Sequence, residues 1–276
     1  MSIQFGATCF FNNPKEFAVV LEVAKQFPLV QYVEFRGEHP FCFPGNTAEE
    51  DLRYYKEIMQ KTHLRSTLHT TMYDINLATL NPWMKDANIA CYKAYIDVAS
   101  FLGAEVIVVH GGVIFPEFAR SPLKDNFFQL AENHLTESLY ELAEYGLPRG
   151  VKIALENSPP EGAVEVVYNP ENHLHILKKI NHSNLGALLD FAHAFLNGLD
   201  LIDYLEKIKP FLFEIHAHNN FGKEDEHLAL PNGKIDYLPI LAHPDIQDVP
   251  FIMELTSYQD VVETLQWLNE NLTRLA

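Results

Sequence analysis

Basic residues are in short supply in this chain. Its 276 residues include 20 Lys and Arg against 37 Asp and Glu, a formal net charge of −17. A surface of that sign argues against broad contact with nucleic-acid phosphates, although it leaves room for a basic cleft on an acidic body. Cysteine is scarcer still. Cys9, Cys42 and Cys91 stand far apart with no CxxC pairing, so neither a disulfide framework nor a thiolate zinc site is indicated. Glycine and proline number only 13 and 16, and 47% of the residues are hydrophobic, a composition that excludes a largely disordered chain. No apolar stretch is long enough to span a bilayer, and the opening MSIQFGATCFFNNPKE lacks a basic end followed by a long apolar segment. A reducing cytoplasm is the expected location, with no membrane contact.

What the chain does contain is an alternation. Short runs rich in branched apolar residues recur: IQFGAT from Ile3, QYVEF from Gln31, RSTLH to His69, EVIVVH to His110, VKIALE to Glu156, LGALLD to Asp190, FLFEIH to His216 and PFIMEL, which contains Glu254. Between them lie stretches with helical spacing, among them PKEFAVVLEVAKQF, TAEEDLRYYKEIMQK, KDANIACYKAYIDVASFLG, DNFFQLAENHLTESLYELAEYG and QDVVETLQWLNENL. Thr47 precedes an acidic first turn, and Gly103 and Gly146 follow the last periodic residues of their helices. Eight strands alternating with helices, without a linker or composition break, predict an α/β fold. The whole of residues 1–276 would form a single (β/α)8 TIM barrel. The rival, a doubly wound open sheet, lacks its best support, because no GxGxxG follows the first strand.

In such a barrel the C-terminal strand ends converge on one face, where the loops build the site. Here those ends read His69, His110, Glu156, Asp190, His216 and Glu254. A lone strand-end histidine is often no more than a polar cap, and His69 or His110 taken singly reads that way. Glu156 and Glu254 could each pair with a neighbouring Lys or Arg, but none of the last three strands ends in one. Carboxylates this close repel unless a cation lies between them, so Glu156, Asp190, His216 and Glu254 are read as ligands of a divalent metal. Carboxylate and imidazole donors without thiolate suit Zn, Mn, Fe or Co better than Mg or Ca. His193 follows Asp190 by three residues, and Asp225 and His227 lie on the loop after His216. These three are read either as further ligands or as hydrogen-bonding support for them. His218 turns to the opposite face if its strand continues and reaches substrate if the strand has ended. His63, His134, His173, His175, His182 and His243 fall in or beside helix candidates and are expected on the surface. Phe127, Phe128 and Trp267 sit at helical spacing and read as core.

The segments LHTTMYDINLATLNP, VVHGG, LEN, LDFAHAF, HAHNNFGKEDEHLALPNGKID and ELT, in this order after the last six strands, resemble the xylose isomerase-like barrel superfamily. That group contains endonuclease IV (AP endonuclease family 2) and many sugar and sugar-phosphate isomerases and epimerases. The likeness runs through nearly the whole chain. It implies, for the endonuclease-type arrangement, one metal among His69, His110 and Glu156, a second among Glu156, Asp190, His216 and Glu254, and a third among His193, Asp225 and His227. The epimerases of the group imply a single ion on the second of these sets. Gly111 stands where the endonuclease motif has Pro, and Pro231 and Asn232 interrupt the usual Gly-Glu-Gly before Lys234.

The expectation is a metal-dependent isomerase or epimerase of a small sugar or sugar phosphate, using one to three ions of Zn or Mn. Glu156 and Glu254 would be its catalytic acid and base. His218, Arg36, Lys223 and Lys234 are the substrate-binding candidates, with Arg120 a further thin candidate for a phosphate. The alternatives are a trinuclear zinc phosphoesterase acting on abasic DNA, and a non-catalytic barrel that binds a sugar or metal. A homodimer is the expected assembly, and nucleic acid is not the expected partner.

Overall fold

The structure is a computed structural model that describes residues 3–8, 17–160 and 164–275. Cys9 and the first three residues of the helix candidate that starts at Pro14 lie outside the described residues. In chain order the elements are β1 (Gln4–Thr8), α1 (Val19–Gln26), β2 (Val30–Arg36), α2 (Glu49–Gln60), β3 (Arg65–His69), α3 (Pro82–Leu102), β4 (Val106–His110), β5 (Val113–Ile114), α4 (Pro116–Ala119) and α5 (Lys124–Gly146). They continue with β6 (Lys152–Glu156), β7 (Val164–Glu165), α6 (Pro170–Ile180), β8 (Leu185–Asp190), α7 (Phe191–Leu196), α8 (Leu201–Ile208), β9 (Leu212–Ala217), α9 (Leu238–Leu241), β10 (Pro250–Met253) and α10 (Tyr258–Leu275).

Eight of the strands close a parallel barrel in the order β1-β2-β3-β4-β6-β8-β9-β10, with β10 paired back to β1. The eight apolar runs of the sequence are these eight strands. The remaining two, β5 and β7, pair antiparallel over two residues above the barrel. The fold is a single (β/α)8 TIM barrel. Among the described residues no helix is long and apolar enough to cross a membrane.

Local chemistry explains most helix boundaries. Asn81 accepts a hydrogen bond from Trp83 N ahead of Pro82, and Gly103 ends α3 in the left-handed region at φ 81°. Two expected boundaries differ. The Thr47 hydroxyl is committed to Phe41 O, so the residue before α2 is Ala48, which caps with no side chain. Gly146 is not a stop but the last residue of α5, which tightens into a 3-10 turn over Leu147–Arg149 before Gly150 turns left-handed at φ 70°. Its smallness is needed for packing, because a Cβ there would sit 2.4 Å from Val151 O.

Alternation along each strand sends every second side chain into the barrel. Two residues before His110, Glu156 and Asp190 come Val108, Ala154 and Leu188, a small apolar cluster separate from the main core. Two residues before His69 and His216 come Thr67 and Glu214, both completely buried. The barrel floor is therefore apolar under one arc of the mouth and polar under the other.

Candidate metal centre

Register brings the strand ends together. His110 and Glu156 are direct partners across β4 and β6, as are Asp190 and His216 across β8 and β9. Glu254 follows β10 immediately, its N–H donating to Ala217 O at 3.2 Å. In consequence Glu156, Asp190, His216 and Glu254 offer donor atoms all within 4.8 Å of one another, and His69, His110 and Glu156 do the same. Glu156, Asp190 and His216 have no exposed surface.

Distances within the ring are short without being hydrogen bonds. His110 Nε2 lies 2.9 Å from Glu156 Oε2 and His216 Nδ1 lies 3.3 Å from Glu254 Oε2. Yet both Glu156 oxygens and His216 Nδ1 are buried without a hydrogen-bond partner. Lone pairs that converge on a common point rather than on each other are what cation ligands present, and leaving them unmatched in a low-dielectric interior is costly. The donor set therefore fits a divalent ion.

The expected third group also assembles. Asp225 Oδ2 is 3.1 Å from His193 Nε2 and 3.1 Å from His227 Nε2. Asp190 caps α7 by accepting the His193 N–H at 2.7 Å, which places His193 one turn from its strand. Asn157 ties the two together. Its side chain donates to Asp190 O and accepts from Asp190 N, both at 2.9 Å, and its carbonyl lies 2.8 Å from His193 Nδ1. The loop carrying Asp225 and His227 is fastened by buried Asn219, which donates to Leu230 O and Ile235 O and accepts from Asn220 N and Ile235 N.

Charge is strongly coupled in this ring. Burial alone would lower the His69 imidazole, but Glu156, Glu254 and Glu34 outweigh it and push it up to about 10. His227 is likewise pulled down by burial, yet raised to about 9 by Glu254 and Asp225. Burial pushes the Glu156 and Glu254 carboxyls up, and the surrounding imidazoles overcome it and hold both well below the usual carboxylate range. Protons on histidine thus balance the carboxylates, and a bound cation would replace those protons.

The substrate-binding candidates are placed less uniformly. Strand β9 ends at Ala217, so His218 stays with the ring: it is completely buried, 3.2 Å from Asp190 Oδ2 and stacked on His227 at 4.0 Å. Arg36 pairs with Glu38 at 3.0 Å. Lys223, Lys234 and Arg120 are exposed. His173, expected on the surface, is completely buried with Nδ1 3.1 Å from Tyr204 Oη. Its helix packs that face against α8, and burial lowers it to about 4, so it is neutral at ordinary pH.

Sequence reading missed three buried groups. Glu34 lies 3.1 Å from His216 Nε2, and Glu214 has both oxygens buried and unpartnered. Desolvation and the Glu34 charge raise the Glu214 carboxyl well above its ordinary value. Asn157 is the third. The available signal was a carboxylate inside an apolar strand, in QYVEF and FLFEIH. The loops around the mouth also expose Tyr73, Phe115, Tyr168 and Phe221.

The profile of the family described as xylose isomerase-like TIM barrel matches residues 22–271. An uncharacterized protein of Methanocaldococcus jannaschii, MJ1311, is 31% identical over 70% of this chain, a match that spans 64% of its own length. A fructoselysine 3-epimerase of Shigella flexneri is 22% identical over 74% of this chain and 71% of its own. A probable endonuclease 4 of Mycobacterium leprae is 26% identical over 76% and 81%. Among solved structures, a D-tagatose 3-epimerase-like protein superposes with a TM-score of 0.82 at 24% identity, covering 99% of this chain and 98% of that one.

Proposed function

The chain belongs to the xylose isomerase-like TIM barrel family, and from that premise we propose that it is a divalent-metal-dependent isomerase or epimerase of a small sugar. One observation carries the reading: the buried quartet Glu156, Asp190, His216 and Glu254, whose oxygen and nitrogen donors share a single centre. These four residues would hold the ion. When bound, a Zn- or Mn-type ion supplies a Lewis acid for the negative charge that develops on adjacent sugar oxygens as a carbon-bound proton leaves.

The protein's own groups do the rest. The quartet occupies four consecutive barrel strands, with Glu156 on β6 at one end of the arc and Glu254 after β10 at the other. A carbon held between them meets one carboxylate on each face. One glutamate removes its proton and the other returns a proton from the opposite side, which inverts the centre. Both are held ionised by the surrounding imidazoles, so one is ready to accept the proton from carbon, while the other must first take up a proton from solvent before it can return one. A carboxylate of such low basicity is a weak base until one of those contacts loosens toward substrate. The exposed aromatics on the surrounding loops give a sugar ring apolar faces to lie against. The related fructoselysine 3-epimerase supports this class of reaction.

A second reading rests on a different observation. His193 and His227 share Asp225 Oδ2 at equal distances of 3.1 Å, which completes the nine donors of a trinuclear phosphoesterase. A probable endonuclease 4 is among the relatives. The net charge of −17 weighs against DNA as substrate.

The test combines metal content with solvent exchange. The protein, purified without chelators, is expected to carry close to one equivalent of metal and to wash deuterium from D2O into the epimerised carbon of at least one ketose in a panel. Close to three equivalents of zinc, no exchange into any sugar and cleavage of abasic-site DNA would establish the phosphoesterase instead. Bound metal with neither reaction would leave a non-catalytic barrel.

A further inference from the structure

Glu34 stands in the middle of β2, an apolar strand, and has no exposed surface. An ionised carboxylate in that position needs partners, and it draws them from three other strands. The Thr8 hydroxyl of β1 donates to Oε1 at 3.1 Å. The Thr67 hydroxyl of β3 approaches Oε2 at 3.4 Å, and His216 Nε2 of β9 lies 3.1 Å from the same oxygen. Among the described residues its ion-pair partner is His216; no Lys or Arg is offered to it.

The two ends of the His216 ring therefore face different groups. Nε2 points down to Glu34. Nδ1 points up to Glu156 and Glu254, at 3.6 and 3.3 Å, and has no hydrogen-bond partner. A carboxylate on one ring nitrogen holds the proton there and leaves the lone pair on the other. Other histidines of the ring are held differently: His193 and His227 each place Nδ1 against a neutral backbone carbonyl, Asn157 O at 2.8 Å and Glu254 O at 2.9 Å. A carboxylate partner makes the imidazole a stronger donor than a carbonyl does, and it fixes the plane of the ring as well.

We propose that Glu34 is the positioning residue of this centre: it clamps His216 at Nε2 and so presents Nδ1 as a fixed, electron-rich ligand atom. The proposal rests on the metal reading above. Glu34 touches neither the ion nor substrate in this scheme and acts only through His216. A merely structural role, in which Glu34 fills the polar half of the barrel floor, would give the same burial but would not govern the tautomer or the affinity.

The experiment uses metal-stripped full-length protein titrated with Zn(II) against a competing chelator, for the native chain, Glu34→Gln and Glu34→Leu. In parallel, long-range proton–nitrogen correlation spectra of histidine-labelled, Zn-loaded native protein report which nitrogen of His216 carries the proton. Glu34→Leu is expected to weaken Zn(II) binding by about 10- to 100-fold. Glu34→Gln, whose amide oxygen still accepts from Nε2–H but carries no charge, should fall between native and Glu34→Leu. His216 is expected to be protonated at Nε2 in the native protein and in Glu34→Gln. A native His216 protonated at Nδ1 would overturn the proposal whether or not the variants fold, and so would a folded Glu34→Leu that binds like native. If the native chain itself binds no Zn(II), the functional reading has failed and this one falls with it. That outcome is distinct from one in which native and variant bind alike.

Discussion

At the scale of single residues the centre is defined by donors that would be costly to bury without a cation. Glu254 illustrates this. It sits beside His216 and His227 at 3.3 and 3.8 Å, where replacement by Gln keeps volume and one acceptor oxygen but removes the proton-accepting charge. Glu254→Gln is expected to lower turnover at saturating metal by about 100- to 10,000-fold, the range typical of losing a general base, with an unchanged circular dichroism spectrum. Deuterium wash-in measured at several metal concentrations separates this loss from weakened metal binding. Retention of most of the native rate would remove Glu254 from the proton transfer. The strand-end donors were legible in the sequence because a charged residue at the end of an apolar run stands out against its neighbours. Glu34 was not, since the group that explains it, His216, lies 182 residues away and only barrel closure brings them together. His173 escaped for the same reason: a helical histidine reads as surface until α8 packs Tyr204 against it.

Elements decide how firmly those residues are held. The strands and helices followed from periodicity, which is a local property, whereas the position of Asp225 and His227 depends on a long loop between β9 and α9 that periodicity does not describe. That loop is organised by one side chain, Asn219, with bonds of 2.6 and 3.0 Å from its amide nitrogen and 2.9 and 3.0 Å to its oxygen. Gly233 leaves room for it, because a Cβ there would come within 2.2 Å of Asn219 Oδ1. Removing Asn219 strands two carbonyls and two amides in a buried place, at about 1 to 3 kcal/mol for each group that water cannot reach. Asn219→Ala is expected to lower the unfolding free energy by roughly 2 to 4 kcal/mol. Faster hydrogen exchange should be confined to residues 219–235, where the loop runs from Asn219 to Ile235. Metal affinity at the quartet should fall less than fivefold, on the order of 1 kcal/mol, because those donors come from strand ends. Exchange that rises across the whole barrel would show that Asn219 supports the fold rather than this loop.

The whole molecule couples proton binding, metal binding and stability. In the metal-free protein His69 and His227 are raised from 6.5 to about 10 and about 9, so the folded chain holds these protons more tightly than the unfolded chain. By linkage the stability they contribute is complete below pH 6.5, the unfolded value, and is lost as pH rises through about 9 to 10. The depressed carboxylates, Glu156 and Glu254, act in the other direction: their contribution is present above 4.5 and lost as pH falls below it. The metal-free form should therefore be most stable in the mildly acidic to neutral range. A divalent ion at the quartet lies against the same Glu156 and Glu254 carboxylates that hold these protons, so its affinity climbs over the same interval in which the metal-free protein weakens. At a thousandfold excess over its dissociation constant an ion adds about 4 kcal/mol, or roughly 8 °C in a chain of this size. Thermal melts of the stripped protein with and without Zn(II) or Mn(II) are expected to show an increment that is small at about pH 6 and grows toward about pH 9. An increment that shrinks over that range would mean that the ion does not compete with these protons, and would place it away from the Glu156 and Glu254 carboxylates that hold them.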